Sequence, residues 1–528
     1  LAEKTRPLLG LLGVLIAAVA AEFNDQVVSI ANGDVAGGLG LSHDPGTWFD
    51  SLYVSAEVFG MAMAPFLLVT FSLRHFTLFV LLLNVTSSML IPVSPDAAAL
   101  YLLRILQGLS GGLTIPLLMT TALRVLDPPI RLYGLAVYAL TATFTPALAT
   151  SMAALWTDQV GWRFVFLEAL PLCTAAGLLA WFGLPQDPPR YERFAKFDWR
   201  GALLVLVGFG SLTTLLQQGD RLDWFNSQLI CTLGLVSLVA IPLLLVNEWF
   251  AELPLLKLQM LRTRNFAYGG LALFLFIIIG QSGSTLPNDF LREVQGFRPE
   301  QFYLVTLEIA ASQLVLLPVM AFLLDFPQID PRLWSLGGLL LILGSCLGGS
   351  LVSIGWFRDQ FYLWQALQAV GQPMVVMPLL MMATNTVKDP AQGPFASALV
   401  NTPRAVSEAV GLWLLQLIQR YRGGLHSARL TDQAGQDRWR LIQANAALPG
   451  PYPGPLTGRS MPPPLLPDGR PRLPGSLERF NEMVVQQAHI LTIADAYLVF
   501  ACVTLVLIVV LLILPERTLP PRLEFAKK

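Results

Sequence analysis

Apolar stretches close to 20 residues long recur from one end of this 528-residue chain to the other. A run of about that length is what an α-helix needs to cross a hydrocarbon core roughly 30 Å thick. This feature excludes a soluble globule, whose chain would break into domains of roughly 100 to 200 residues joined by polar linkers. Charge agrees, since 13% of residues are Asp, Glu, Lys or Arg against about 25% in an ordinary soluble domain. A β-barrel is disfavoured as well, because its strands would alternate apolar and polar residues. The expected fold class is therefore an all-α polytopic membrane protein. Many glycines and prolines fit that class, because neighbouring helices satisfy the backbone groups freed at breaks.

Hydropathy windows predict spans at 8–30, 48–69, 76–92, 97–123, 132–155 and 162–184, an additional pair at 199–216 and 229–249, and six more at 266–286, 302–324, 333–354, 361–383, 395–418 and 492–514. Fourteen spans leave both termini on one side. The first is too long for a removable signal peptide and lacks a small-residue cleavage site, so it is expected to stay. Lys and Arg in the short loops set the orientation. They crowd the N-terminal side (Lys4, Arg6, Arg124, Arg131, Arg190, Arg193, Lys196, Arg262, Arg264), with few opposite (Arg163, Arg221, Arg292, Arg298, Arg358). Both termini are predicted to be cytoplasmic. The long loop 419–491 would face outward. A formal net charge of −1 gives no case for nucleic acid, and the four cysteines form no CxxC pair, so neither a metal site nor a disulfide framework is expected.

An internal repeat refines the architecture. The fourth span reads LLRILQGLSGGLTIPLLM and the twelfth LWQALQAVGQPMVVMPLLM, so that Arg104 answers to Gln365, Gln107 to Gln368, and Pro116 lies within one residue of Pro378. That register predicts a six-helix half over 1–184, a linker with two inserted spans over 185–264, and a second six-helix half over 265–528. Paired six-helix halves are a transporter plan.

On these residues the chain resembles the major facilitator superfamily, in its fourteen-span, EmrB-like drug:proton antiporter branch. The pieces that carry the resemblance are FNDQVVSIANGDVAGGLG with Asp25, PGTW at Pro45 to Trp48, RILQGLSGG from Arg104, LDWFNSQ from Leu222, LRTRNF from Leu261 and LPNDFLREVQGF from Leu286. Two motifs depart from the family. The loop after span two keeps Arg74 but no Asp, and span five, TPALATSMAALW, keeps Pro146 without the paired glycines. The resemblance implies a major facilitator fold and alternating access. It also implies a bacterial inner-membrane location, a periplasmic membrane-fusion (EmrA-like) adaptor and an outer-membrane (TolC-like) channel.

A charge near the bilayer centre costs at least about 2.5 to 3.5 kcal/mol on insertion scales, so each one retained there is a functional candidate. Glu22 and Asp25 stand at i, i+3 on one helix face, which suits binding and release of a proton. Arg104 is expected to pair with one of them, and the three are the candidates for proton coupling. Arg404 and Glu408, at i, i+4, are expected to satisfy one another. Candidate substrate contacts are Gln107, Glu168, Glu308 and Glu408, with the stripe Gln365, Gln368 and Gln372 beside Trp364 and a run of methionines. Each of these also fits plain helix packing. Glu57 is a further carboxylate in an apolar run.

No Walker A sequence, cofactor fingerprint or catalytic His/Ser/Asp set occurs, so no cofactor and no enzymatic activity are expected. The Pro-rich stretch 449–475 would be extended, as a spacer or as a docking element for the adaptor. The sequence thus points to proton-driven efflux of small hydrophobic or aromatic compounds, of multidrug type. Proton-linked uptake of an organic anion, or a non-transporting membrane receptor, are the alternatives.

Overall fold

The protein is described by a computed structural model covering residues 6–436 and 476–525. Among these residues there is no strand. Fourteen long helices follow in order: α1 (Arg6–Ile30), α2 (His43–Phe71), α3 (Leu73–Leu90), α4 (Ala97–Val125), α5 (Arg131–Ala154), α6 (Ala169–Gly183), α7 (Trp199–Gln218), α8 (Gln228–Phe250), α9 (Arg264–Asp289), α10 (Pro299–Leu324), α11 (Pro331–Gly349), α12 (Arg358–Thr384), α13 (Gly393–Ile418) and α14 (Ser476–Ile513). Thirteen of the described helices are long and apolar enough to cross a membrane. The helix at the thirteenth expected span, α13, has 26 residues but is too polar to count with them by composition. The reason is visible in its sequence, where Arg404, Glu408, Asn401 and Ser397 break the apolar run.

Successive helices alternate in direction, so one end of the bundle carries the start of α1 and the other its finish; these are called the proximal and distal ends. Packing repeats along the chain. Helix α2 lies along α4, α1 along α6, and α3 against both α4 and α6; eight helices later α10 lies along α12, α9 along α14, and α11 against α12 and α14. The two six-helix groups meet at α5 on α10 and at α2 on α13. Helices α7 and α8 pair with each other outside this arrangement, with α7 against α2 and α13.

Prolines inside the helices show how the packing holds together. Pro287 has no N–H for the carbonyl of Gly283, four residues back, and Gln365 Nε2 on α12 donates to that oxygen at 2.9 Å. Pro373 does the same to Ala369, whose carbonyl accepts from Gln313 Nε2 on α10 at 3.0 Å. Each break is thus satisfied by a glutamine from a neighbouring helix, as a low-dielectric surrounding demands. Glycines let α2 and α4 touch: a Cβ on Gly108 would lie 2.3 Å from the Tyr53 carbonyl oxygen, and one on Gly112 2.0 Å from that of Glu57.

Polar bonds join the groups at both ends. Proximally, Tyr138 donates to Asn401 Oδ1 at 2.7 Å and Ser397 Oγ donates to the Pro116 carbonyl at 2.7 Å. Distally, Arg298 at the start of α10 reaches Asp158 at 2.7 Å and Asp34 at 3.1 Å. On the other side the α7–α8 turn bridges the groups, because Arg221 pairs with Asp44 at 3.1 Å while Asp220 and Asp223 pair with Arg420 beyond α13. The outer segment expected at 419–491 begins as a helix, Gly424–Gln436, and α14 starts at Ser476, well ahead of its predicted span. The Pro-rich stretch 449–475 lies outside the described residues.

Candidate functional site: a central cavity over a buried charge cluster

A cavity of about 360 Å³ lies between the two helix groups toward the distal end. Asp25, Gln26 and Ser29 of α1 and Asp50 and Ser51 of α2 face it from one side; Gln281, Ser284 and Asn288 of α9 and Glu408 and Gln416 of α13 face it from the other. Val54, Phe302, Leu412 and Leu415 add apolar wall. A smaller void of about 40 Å³ continues inward, shares Gln26, Pro146, Gln281, Ser284 and Glu408, and ends on Arg404 and Gln372.

Arg404 is the floor of this space, and it is buried with 1% of its surface exposed. Its Nη2 donates to Glu22 Oε1 on α1 at 2.5 Å and to the Thr141 carbonyl at 3.0 Å, and its Nη1 donates to Thr141 Oγ1 at 2.8 Å. Its own-helix neighbour Glu408 is farther, 3.7 Å from Nε. The expected i, i+4 pair is therefore the weaker contact, and the main partner comes from the opposite group. The cause is direction: a guanidinium extending across the interface meets α1 and α5 head-on, while Glu408 stays on the cavity wall.

Arg104 also departs from expectation. It pairs with neither Glu22 nor Asp25 but with Asp50 Oδ1, at 3.5 Å. Its Nη1 donates to the Asn24 carbonyl and to Gln107 Oε1, both at 2.7 Å, and its guanidinium sits 4.2 Å from the Tyr53 ring centroid and 4.6 Å from that of Phe49. Asp25 is near enough to feel its charge but turns to the cavity. Gln107 holds Arg104 and donates to Ser88 Oγ at 2.8 Å, so it acts inside the first group and away from the cavity.

The other candidates separate by place. Glu408 and Gln372 reach the central space. Gln365 caps the carbonyl freed by Pro287, and Gln368 Nε2 donates to Ser282 Oγ at 3.0 Å, which ties α12 to α9. Trp364 packs over Gly348 of α11. Glu168 accepts from Trp156 Nε1 at 2.5 Å, apart from the cavity, and Glu308 is half-buried on α10 without lining either space. Residues that sequence patterning did not single out are Asp50, Gln26, Gln281 and the Tyr138–Asn401 pair. Asp50 follows PGTWF in the first turns of α2, where a carboxylate reads as a solvated helix end. Glu57 stands deep in α2, its Oε2 without a hydrogen-bond partner among the described residues, within electrostatic reach of Glu408, Asp25, Glu22 and Arg404. Five carboxylates and two guanidiniums thus gather where the two groups meet.

A family model described as Major Facilitator Superfamily matches residues 14–412. The chain is similar to the fatty acid resistance protein FarB of Neisseria gonorrhoeae, 26% identical over 77% of this chain and 79% of that one. It is similar to the multidrug export protein EmrB of Escherichia coli strain K12, 25% identical over 78% and 79%, and to the probable multidrug resistance protein EmrY of the same strain, 26% identical over 82% and 84%. Among solved structures, a double Trp variant of XylE superposes with a TM-score of 0.57 at 11% identity over 98% of each chain. The human organic anion transporter MFSD10 does so with 0.51 at 17% identity, over 79% of this chain and 94% of that one. At such identities these two likenesses concern the fold.

Proposed function

The chain belongs to the Major Facilitator Superfamily, and on that premise we propose that it is a proton-driven exporter of small hydrophobic or aromatic compounds, working by alternating access. It is a multi-pass membrane transporter, not an enzyme, in keeping with the family. In the proposed assignment residues 1–184 and 265–528 are the two moving halves, 185–264 is the insert, and both termini are cytoplasmic in a bacterial inner membrane. The distal end then faces the periplasm, where an adaptor and an outer-membrane channel would complete a tripartite pump.

The observation that carries this reading is the Glu22–Arg404–Glu408 link, since it joins α1 to α13 across the seam along which the halves must part. With Glu22 ionised, Arg404 bonds across the seam at 2.5 Å. A proton on Glu22 removes the charge that holds the guanidinium to α1, leaving Arg404 to Thr141 on α5 and to Glu408 on its own helix, and freeing α1. Asp25, one turn along α1 and facing the cavity, is the group through which a proton enters from the distal side. Protonation thereby biases a two-state element by differential interaction, which any coupled conformational change requires. The cavity mixes apolar walls with carboxylates, and the guanidiniums that reach it are already committed, Arg404 to Glu22 and Arg292 at the rim to Asp289. That composition favours a neutral or positively charged amphipathic cargo over an organic anion.

The test is uphill transport of a lipophilic fluorescent dye in proteoliposomes under an imposed pH gradient. Asp25→Asn and Glu22→Gln each keep size and hydrogen bonding while removing the titrating group, so both should lose uphill transport and keep dye binding. Uphill transport at the wild-type rate in both variants would overturn the proton assignment.

A further inference from the structure

The proximal end of the inserted pair takes no part in the cavity or in the bonds that join the halves, yet it is a built surface. Beyond Phe250, where α8 stops, the chain turns back through a short helix, Leu258–Arg262, which lies beside α8. Between them is a trough of about 500 Å³ walled by Leu245, Trp249, Phe250 and Leu261 and ending at Arg262. Gln259 Nε2 donates to the Trp249 carbonyl at 2.8 Å and fixes the turn to the helix. The Arg262 guanidinium lies 4.9 Å from the Trp249 ring centroid. Among the described residues it has no carboxylate partner, whereas nearby Arg264 pairs with Glu516 at 3.2 Å. On the other side of the Phe250 ridge a second hollow holds Arg200, likewise stacked on a tryptophan, Trp199, at 5.4 Å.

We infer that this trough binds one anionic phospholipid, with an acyl chain along Leu245, Trp249 and Leu261 and the headgroup phosphate at Arg262. Two independent features select that occupant. An apolar trough at the edge of a membrane-spanning helix matches an acyl chain. A guanidinium at its mouth, over an indole and with no hydrogen-bond acceptor among the described residues, has N–H groups free for bidentate donation to a phosphate. Basic pockets at helix ends are where anionic headgroups dock, and tryptophans mark the same depth. A second copy of the chain fits less well, because a symmetric contact through this end of α8 would bring Arg262 and Arg200 of each copy toward their own kind.

Purified full-length protein is delipidated in detergent and offered phosphatidylglycerol or phosphatidylcholine, with bound lipid counted by native mass spectrometry and stability followed by thermal unfolding. Wild type should retain one phosphatidylglycerol in preference to phosphatidylcholine and gain melting temperature from it. Arg262→Ala should weaken that retention by about tenfold, the loss of one charge-assisted contact, with its lipid-free melting temperature unchanged. Arg262→Lys should fall between. Leu261→Glu, which fills the trough with charge, should lose retention even if the arginine variant folds poorly. Equal retention of the two lipids, unchanged retention in both Arg262→Ala and Leu261→Glu, or a dimer that Leu261→Glu splits in the absence of lipid, would overturn the assignment.

Discussion

The two fully buried arginines hold different things together. Arg104 ties α1, α2 and α4 within one half, through the Asn24 carbonyl, Asp50 and the Phe49 and Tyr53 rings. Arg404 ties one half to the other. It uses two nitrogens on Glu22 and Thr141 and turns a third toward Glu408, a planar fork that an ammonium cannot reproduce. Arg404→Lys is therefore expected to cut uphill dye transport at least about tenfold, equivalent to about 1.4 kcal/mol, while dye binding persists. Arg404→Ala leaves Glu22 buried and unpaired, at a cost of about 3 to 5 kcal/mol. Combining it with Glu22→Gln should recover most of the melting temperature and none of the transport. A double variant as unstable as Arg404→Ala alone would mean that Glu22 is not the group being stranded. Charges standing in apolar runs made Glu22, Asp25, Arg104 and Glu408 legible in the sequence. Their partners were not, since local spacing offers Arg404 only Glu408 while the closer carboxylate is 382 positions away. Gln365 shows the same limit: a polar stripe on α12 reads as a binding face until Pro287, on another helix, is seen to leave Gly283 without a partner.

At the scale of elements, close helix contact is set by glycine where no side chain fits. Helices α2 and α4 carry Tyr53, Glu57 and Arg104, so their separation positions part of the cluster. An alanine at Gly112 would put its Cβ 2.0 Å from the Glu57 carbonyl oxygen, a backbone atom that cannot swing aside. Gly112→Ala should thus lower stability by about 1 to 3 kcal/mol, the usual range for overpacking, and impair transport by moving Glu57. Gly270, on α9, has open space where a Cβ would go, and Gly270→Ala should be neutral or slightly stabilising through helix propensity. Thermal unfolding in detergent separates the two, and equal melting temperatures would refute the contact argument. Helix positions followed directly from hydropathy, whereas the close approach at Gly108 and Gly112 appears only in the packing of α2 on α4. The polarity that sets α13 apart stands in its own sequence, but the partners that let it stay buried, Glu22 and Thr141 on the other group, lie outside any hydropathy window.

For the whole molecule, the proposed alternating-access cycle requires the proximal end to open when the distal end closes, with the two groups parting along the seams where they meet. The proximal closure can be locked. Gly393 opens α13 and Leu123 lies near the end of α4, on opposite halves, and a Cβ built on Gly393 falls 3.7 Å from that of Leu123. That separation lies in the usual Cβ–Cβ range of a disulfide, about 3.5 to 4.5 Å. In a background where Cys173, Cys231, Cys346 and Cys502 are replaced by serine or alanine, Leu123→Cys with Gly393→Cys should cross-link under mild oxidation. The cross-linked protein should bind dye from the distal side and transport none, and a reductant should restore transport. Both single variants should be indifferent to oxidant, which separates locking from damage. Complete cross-linking with wild-type transport would mean that the halves do not part along α4 and α13. The cycle would then have to run by local movements around Arg404, with no opening of the proximal end.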